Sequence, residues 1–533
     1  MVRKYDIFEL TLNGPKDGNP FVDVDLRAVF TYMNRKHTVS GFYDGNGIYK
    51  IRFMPCREGV WKYETQCNVD ELNGVTGEFT CTEAAPGEHG PVRVHNQFHF
   101  AHDDGTPFYP VGTTAYAWTH QQPEIVEQTL KTLKDSPFNK IRMCVFPKHY
   151  VYNLNEPPLY PYEGGLIEGV KAEDIRYAGP AFAGAENTNY KFDYMRFNPN
   201  FWRDFETRIA QLRDLGIQAD IIIFHPYDRW GFSRMEEPAI QLYLRYLVAR
   251  LGSFSNVWWS MANEYDLFRG RTEQDWERWA YTIVEWDPYE HLRSIHNCTK
   301  LYDHSKGWIT HVSIQRIDYH SHVELVAKWR ERWQKPVVVD EICYEGNIDH
   351  GWGNITGEEM TKRFWDVTVR GGYCTHGETY LRDDEVLWWA KGGWLTGSSP
   401  ARIAFLRRIV EEMGYIDPKP ISPMDWDLTC GYSGRQFTYQ SETPFGTMAT
   451  QAAEKMICYF SFAQPAKRSF MLPPDKKYEI EVIDTWNMTI EKLEGTYSGR
   501  VEIKLPGRPY VAVRFTMVGD GSSGWFSHTS LTS

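Results

Sequence analysis

A chain of 533 residues is longer than one hydrophobic core serves well, so two or three domains are expected. Its 58 basic and 70 acidic side chains leave a net charge of −12. That balance offers no footprint for phosphate backbones and is repelled by anionic lipid, so neither nucleic acid nor a membrane surface is an expected partner. The nine cysteines are odd in number, dispersed and free of CxxC pairs. They point to no disulfide framework and no zinc site, and reduced thiols in a cytoplasmic protein are the expectation. No apolar stretch follows the basic start MVRKYDIFEL, and no run of about 18 apolar residues occurs.

Residues 1–83 alternate polar and apolar positions in short runs (FELTL, IYKIRFM, VWKYETQ) separated by turns such as Asp44-Gly45-Asn46-Gly47. A period of two with such turns predicts a small antiparallel β-sandwich. The Pro- and Gly-containing stretch EAAPGEHGP then reads as a linker.

From about residue 92 to 417, strand-like apolar runs alternate with amphipathic helices, which predicts a parallel α/β architecture. Trp202, Phe205, Ile209, Leu212 and Leu215 recur at helical spacing before Gly216 ends that helix. Eight strand candidates lie at 108–113, 140–145, 219–224, 257–262, 293–296, 311–316, 337–340 and 372–375. Eight in about 300 residues is the stoichiometry of a (β/α)8 TIM barrel rather than of an open sheet. The stretch 148–196, rich in Tyr, Pro and Gly, is too long for a plain connection and reads as a βα loop that shapes a site. After 417 short β runs return, so 418–533 is expected to be a second, C-terminal β-sandwich.

Barrel chemistry sits where strands end and βα loops begin. The fourth strand ends in Asn263-Glu264-Tyr265-Asp266, and the seventh in Val337-Val338-Val339-Asp340-Glu341. Two carboxyl groups of this kind suit cleavage of a glycosidic bond, one protonating the leaving oxygen and the other attacking or activating water.

With these residues in hand, the chain resembles the clan A retaining glycoside hydrolases, in their apiosidase-like and galactofuranosidase-like branch. GFYDGNGIYKIRFMPCREGVWKYET is similar to the Ig-like domain that precedes such barrels. PFYPVGTTAYAW, FNKIRMCVFP, WWSMANEYD, KPVVVDEICYEG and GGYCTHGETY fall where that branch has barrel strands.

The resemblance implies Glu264 as general acid/base, Glu341 as nucleophile and Asn263 as the contact to the sugar 2-hydroxyl. It implies Arg142 as the cation that keeps the nucleophile ionised, and His225, His296 and His320 as sugar-contacting or carboxylate-orienting groups. Tyr380 and Trp394 join them as substrate contacts, Trp394 with Trp388 and Trp389 as an aromatic platform beyond the eighth strand. Asp340 and Glu345 compete with Glu341, because a small shift of the strand end promotes either one.

The implied activity is a retaining, exo-acting glycoside hydrolase without metal or cofactor, acting on a carbohydrate or glycoside. Loop 148–196 and the 388–394 segment are expected to narrow the barrel mouth to a pit for one or two sugars. Apiose, arabinose, galactofuranose and pyranosides such as xylose or galactose stay open as the released sugar, as does the oligomeric state. Two other readings compete. A metal-dependent barrel hydrolase draws on His95, His99, His102 and His320-Ser321-His322, but the first strand offers no ligand pair. A non-catalytic sugar-binding protein draws on the flanking sandwiches and the 15% aromatic content.

Overall fold

The computed structural model describes residues 1–175, 189–315, 323–419, 428–443 and 446–520. They form two compact units, Met1–Gln315 with Leu381–Trp394, and Arg316–Tyr380 with Leu395–Ser533. The fold is α/β: eight parallel strands of a (β/α)8 barrel are flanked by β-rich N- and C-terminal regions.

In the first unit, the N-terminal region is a seven-stranded sheet around Trp61, Phe30, Tyr49 and Ile51. Its strand Arg35–Tyr43 pairs with Leu26–Tyr32 through residues 35–40 and with Ile48–Phe53 through 41–43. The changeover falls at Gly41, where a Cβ would come within 2.7 Å of Leu26. The turn 44–47 that closes this hairpin has positive φ at Gly45, Asn46 and Gly47, which explains its composition.

Beneath this sheet, Arg52 and Arg250 share Glu206 of helix Pro199–Asp214, and Arg250 also reaches Asp44 at 2.9 Å. All four side chains are buried, so each charge needs the others, and the network ties the N-terminal sheet to two barrel helices.

Five barrel strands of this unit neighbour one another in parallel: Val111–Thr114, Lys140–Cys144, Gln218–Phe224, Val257–Ala262 and Arg293–Ser294. The sixth is Val312–Gln315. Nearly every position in them is buried, as strands covered on both faces require. The first strand starts later than its apolar run suggests. Pro107–Phe108 pairs antiparallel with His99–His102, and Tyr109 and Pro110 stand between that pairing and the barrel.

In the second unit, the seventh and eighth strands, Val337–Glu341 and Tyr373–His376, run parallel with Val338 opposite Tyr373. Its C-terminal region packs a six-stranded sheet and the pair Lys467–Met471 with Arg500–Lys504 around Tyr478, Ile480, Ile503 and Phe515. Here the expectation of nine reduced thiols needs correction. Cys430 and Cys458 stand opposite each other on antiparallel strands and are joined as a disulfide. Their 28-residue separation hides that register from the sequence. Among the described residues no helix is long and apolar enough to cross a membrane.

Candidate active site

The fourth strand delivers Asn263 and Glu264 as it ends. Asn263 still takes part in the ladder, its N–H donating to Phe224 O at 2.9 Å. Glu264 then turns into the left-handed region, φ 49° and ψ 54°, and starts the single 3-10 turn Tyr265–Leu267. A non-glycine residue held in that region is uncommon and persists where surrounding contacts fix it. The carboxylate is buried, and the Tyr227 hydroxyl donates to its Oε2.

Asn263 is held by side chains from the second strand and from just after the first. Its Oδ1 accepts from Arg142 Nη2 at 3.1 Å and from the Tyr116 hydroxyl at 3.3 Å. Arg142 in turn lies 3.5 Å from Asp220 Oδ2, which also takes Lys140 Nζ at 2.7 Å. Arg142, Asp220 and Lys140 are fully buried, so this chain of charges is part of the barrel interior. Within the first unit, Arg142 therefore orients Asn263.

Tyr227 comes from the loop after the third strand, which is built on Asp228. The Asp228 carboxylate accepts from the backbone N–H groups of Trp230, Gly231 and Ser233 and from the Ser233 hydroxyl. His149 N–H donates to Tyr227 O at 3.0 Å, bringing the second-strand loop against it. Lys148 of that loop is buried under aromatic rings. Its Nζ lies 3.6 Å from the Tyr116 ring centroid, 4.4 Å from Tyr227, 4.9 Å from Trp389 and 5.5 Å from Tyr150. The same loop contributes Glu156, which accepts from Arg229, from Trp230 Nε1 and from the hydroxyls of Tyr160 and Tyr190.

The histidines have separate surroundings. His225 is fully buried, and its Nε2–H donates to Phe146 O at 3.0 Å; burial, with the Lys148 charge, pushes its pKa down to about 3, so it is neutral. His296 bridges Ser313 Oγ and Gln315 Oε1 at 3.0 and 3.2 Å. His320 lies outside the described residues. Trp388 and Trp389 are buried, Trp388 Nε1 donating to Thr113 at 2.8 Å, whereas Trp394 is exposed under the Arg382 guanidinium.

In the second unit, Glu341 is the last residue of the seventh strand and is buried. Asp340 points the other way along the strand and accepts from the Thr375 hydroxyl at 2.7 Å. Glu345 is committed to structure. Its two oxygens accept from Ser398 N–H, Ser399 N–H, both serine hydroxyls and the Tyr380 hydroxyl, at the start of helix Ser399–Met413. Tyr380 is thus tied to Glu345. Glu378 does the same for Thr396 and Gly397, and a Cβ on Gly397 would lie 2.6 Å from Glu345 Oε2.

Among the described residues, Glu345, His376 and Glu378 are the one group with the spacing of a metal triad. Both carboxylates already serve a helix N-terminus and its approach, and burial pushes His376 down to about 4. The donor set is that of a cap, not of an ion cage.

Parallel strands of a (β/α)8 barrel, the fourth ending in Asn-Glu and the seventh in Glu, are the build of a glycoside hydrolase. Residues 94–402, more than half of the chain, match the family model described as apiosidase-like, catalytic domain, and the chain belongs to that family. Residues 1–68 match the domain of unknown function DUF5060, and residues 444–516 match DUF5605.

A Bacteroides vulgatus protein of known structure, assigned as a glycoside hydrolase, is 37% identical with a TM-score of 0.86, covering 97% of this chain and 99% of its own. A family 5 glycoside hydrolase from the same species shares the fold at 14% identity and a TM-score of 0.59, over 80% of this chain and 94% of that one. Another glycoside hydrolase does so at 15% and 0.55, over 80% and 97%. No protein of curated function matches the chain. Its substrate is a carbohydrate.

Proposed function

We propose that this glycoside hydrolase releases a terminal furanosyl residue with retention of configuration. Glu341 attacks the anomeric carbon while Glu264 gives its proton to the glycosidic oxygen, so the aglycone leaves as a neutral alcohol. Glu264, now a carboxylate, takes a proton from water, which displaces Glu341 and frees the sugar. Asn263 binds the sugar hydroxyl beside the reacting carbon.

The observation that carries this reading is the end of the fourth strand: a buried glutamate in a left-handed turn, held by a phenol, beside an asparagine fixed by Arg142 and Tyr116. The clasp of the second-strand loop to the third-strand loop through Glu156 supports action at chain ends rather than in an open cleft. The family description supports a branched pentofuranose as the first sugar to try.

The test is a panel of nitrophenyl apiofuranosides, arabinofuranosides, galactofuranosides and pyranosides, with NMR of the first anomer formed. A retained furanose is the expected product. Inversion overturns the double displacement, an early ladder of oligomers from a polymer overturns exo action, and binding without turnover overturns the enzyme reading.

A further inference from the structure

Lys148 is absorbed by none of the roles above. Its ammonium sits in the interior, against four rings that come from four different chain segments: Tyr116 after the first strand, Tyr150 in the second-strand loop, Tyr227 in the third and Trp389 after the eighth. Two of those rings are the ones whose hydroxyls hold Glu264 and Asn263. A cation over the face of a phenol is attracted to the ring and draws electron density from it, which makes the O–H a stronger donor.

We propose that Lys148 is a positioning residue for proton donation, acting through the Tyr227 hydroxyl to stabilise the carboxylate that Glu264 becomes as the leaving group departs. This rests on Glu264 being the general acid. The proton passes from Glu264 to the glycosidic oxygen as the bond from that oxygen to the anomeric carbon breaks, and the alcohol leaves neutral. The negative charge that appears on Glu264 meets a Tyr227 hydroxyl already sharpened by Lys148. The same cation steadies the Tyr116 ring and with it the hydroxyl on Asn263.

An effect routed through proton donation has a signature that loss of packing lacks, because it scales with how much the leaving group needs the proton. The experiment compares 2,4-dinitrophenyl and phenyl glycosides of the sugar turned over in the panel, each enzyme assayed on its pH plateau. Lys148→Met keeps the length of the side chain and removes the charge. Its kcat/KM on the phenyl glycoside is expected to fall by on the order of 10- to 100-fold, a share of the 10²–10⁴ that general acid catalysis supplies. On the dinitrophenyl glycoside it is expected to fall by less than about 3-fold, since that aglycone leaves without a proton.

Tyr227→Phe removes one oxygen, carries little folding risk and is expected to show the same split. In the double variant, Lys148→Met should then add little to Tyr227→Phe, because the two act in series. Equal losses on both substrates, or fully additive losses in the double variant, overturn the inference. Glu264→Gln in the same series keeps the two claims apart. If it shows no leaving-group dependence, the assignment of the acid fails; if it does and Lys148→Met does not, only the role of Lys148 fails.

Discussion

Glu345 and Glu264 are both buried glutamates near the ends of barrel strands, and each accepts a tyrosine hydroxyl, but Glu345 also caps a helix. Glu345 is fixed by two backbone N–H groups and the hydroxyls of Ser398, Ser399 and Tyr380. Despite burial, which works to raise it, those donors hold its carboxyl below the usual range. A backbone N–H only donates, so protonating Glu345 would set proton against proton. The Tyr227 hydroxyl on Glu264 can donate to a carboxylate and, by rotating, accept from a carboxylic acid. N–H donors suit a permanent anion, and a hydroxyl suits the proposed role of Glu264, in which the carboxyl gains and loses a proton.

The largest expected effect tests that division directly. Glu341→Ala should lose on the order of 10⁴-fold or more in kcat/KM whatever the leaving group, because no covalent intermediate forms. Glu264→Ala should keep much of its first step on a dinitrophenyl glycoside, stall at the glycosyl-enzyme and recover with azide. If Glu341→Ala stays active while Glu345→Ala is dead, the nucleophile is Glu345 and the comparison collapses.

Next in size is Asp220→Asn, which leaves Lys140 and Arg142 buried beside a neutral partner. Chemical denaturation should show a loss of about 3–5 kcal/mol, the cost of breaking a buried charge network from one side. Unchanged stability would mean that the interior charges are solvated in some other way.

Glu345→Gln should cost about 2 kcal/mol, from backbone donors at the start of helix Ser399–Met413 losing an anionic acceptor. Its folded fraction should keep wild-type kcat, and azide should do nothing for it. A normal melting temperature with lost activity would move Glu345 into the chemistry.

The smallest effect is one of pH. Asp287, fully buried under the fourth strand, is raised by burial but brought down to about 2 by the His291 charge and the donors Trp259 Nε1 and His291. Its folded pKa lies below the unfolded one, so its contribution is complete above about pH 4 and fades as pH falls towards 2. Asp287→Asn should flatten the acid stability curve over that window by about 2 kcal/mol.

The sequence carried the strands and their terminal residues well, because both-sided burial writes long apolar runs and the polar residue ending each run stands out. Asn263-Glu264 and Glu341 were legible for that reason. The first strand begins later than its apolar run implies, because Phe108, as apolar as a barrel residue, pairs with Phe100 outside the barrel.

Lys148, Tyr227, Tyr116 and Trp389 were not legible as a group. They come from four separated segments, and periodicity reports a residue's own element, not its neighbours in space. Tyr380 shows the converse: its place after the eighth strand suggested a sugar contact, whereas its hydroxyl is on Glu345. The Cys430–Cys458 pairing depends on a strand register that spacing does not encode.

The clasp on Glu156 bears on how affinity is divided. Arg229, Trp230, Tyr160 and Tyr190 converge on that one carboxylate, so the second- and third-strand loops are tied to each other by contacts of the fold itself. Contacts that formed only on binding would consume interaction energy in their ordering, whereas contacts made as the chain folds do not. A receptor set in advance discriminates by exclusion: a ring that fits meets groups already in place, and one with an extra substituent meets walls that do not yield. Loosening the clasp, as in Glu156→Ala, would then broaden the range of accepted sugars while weakening each.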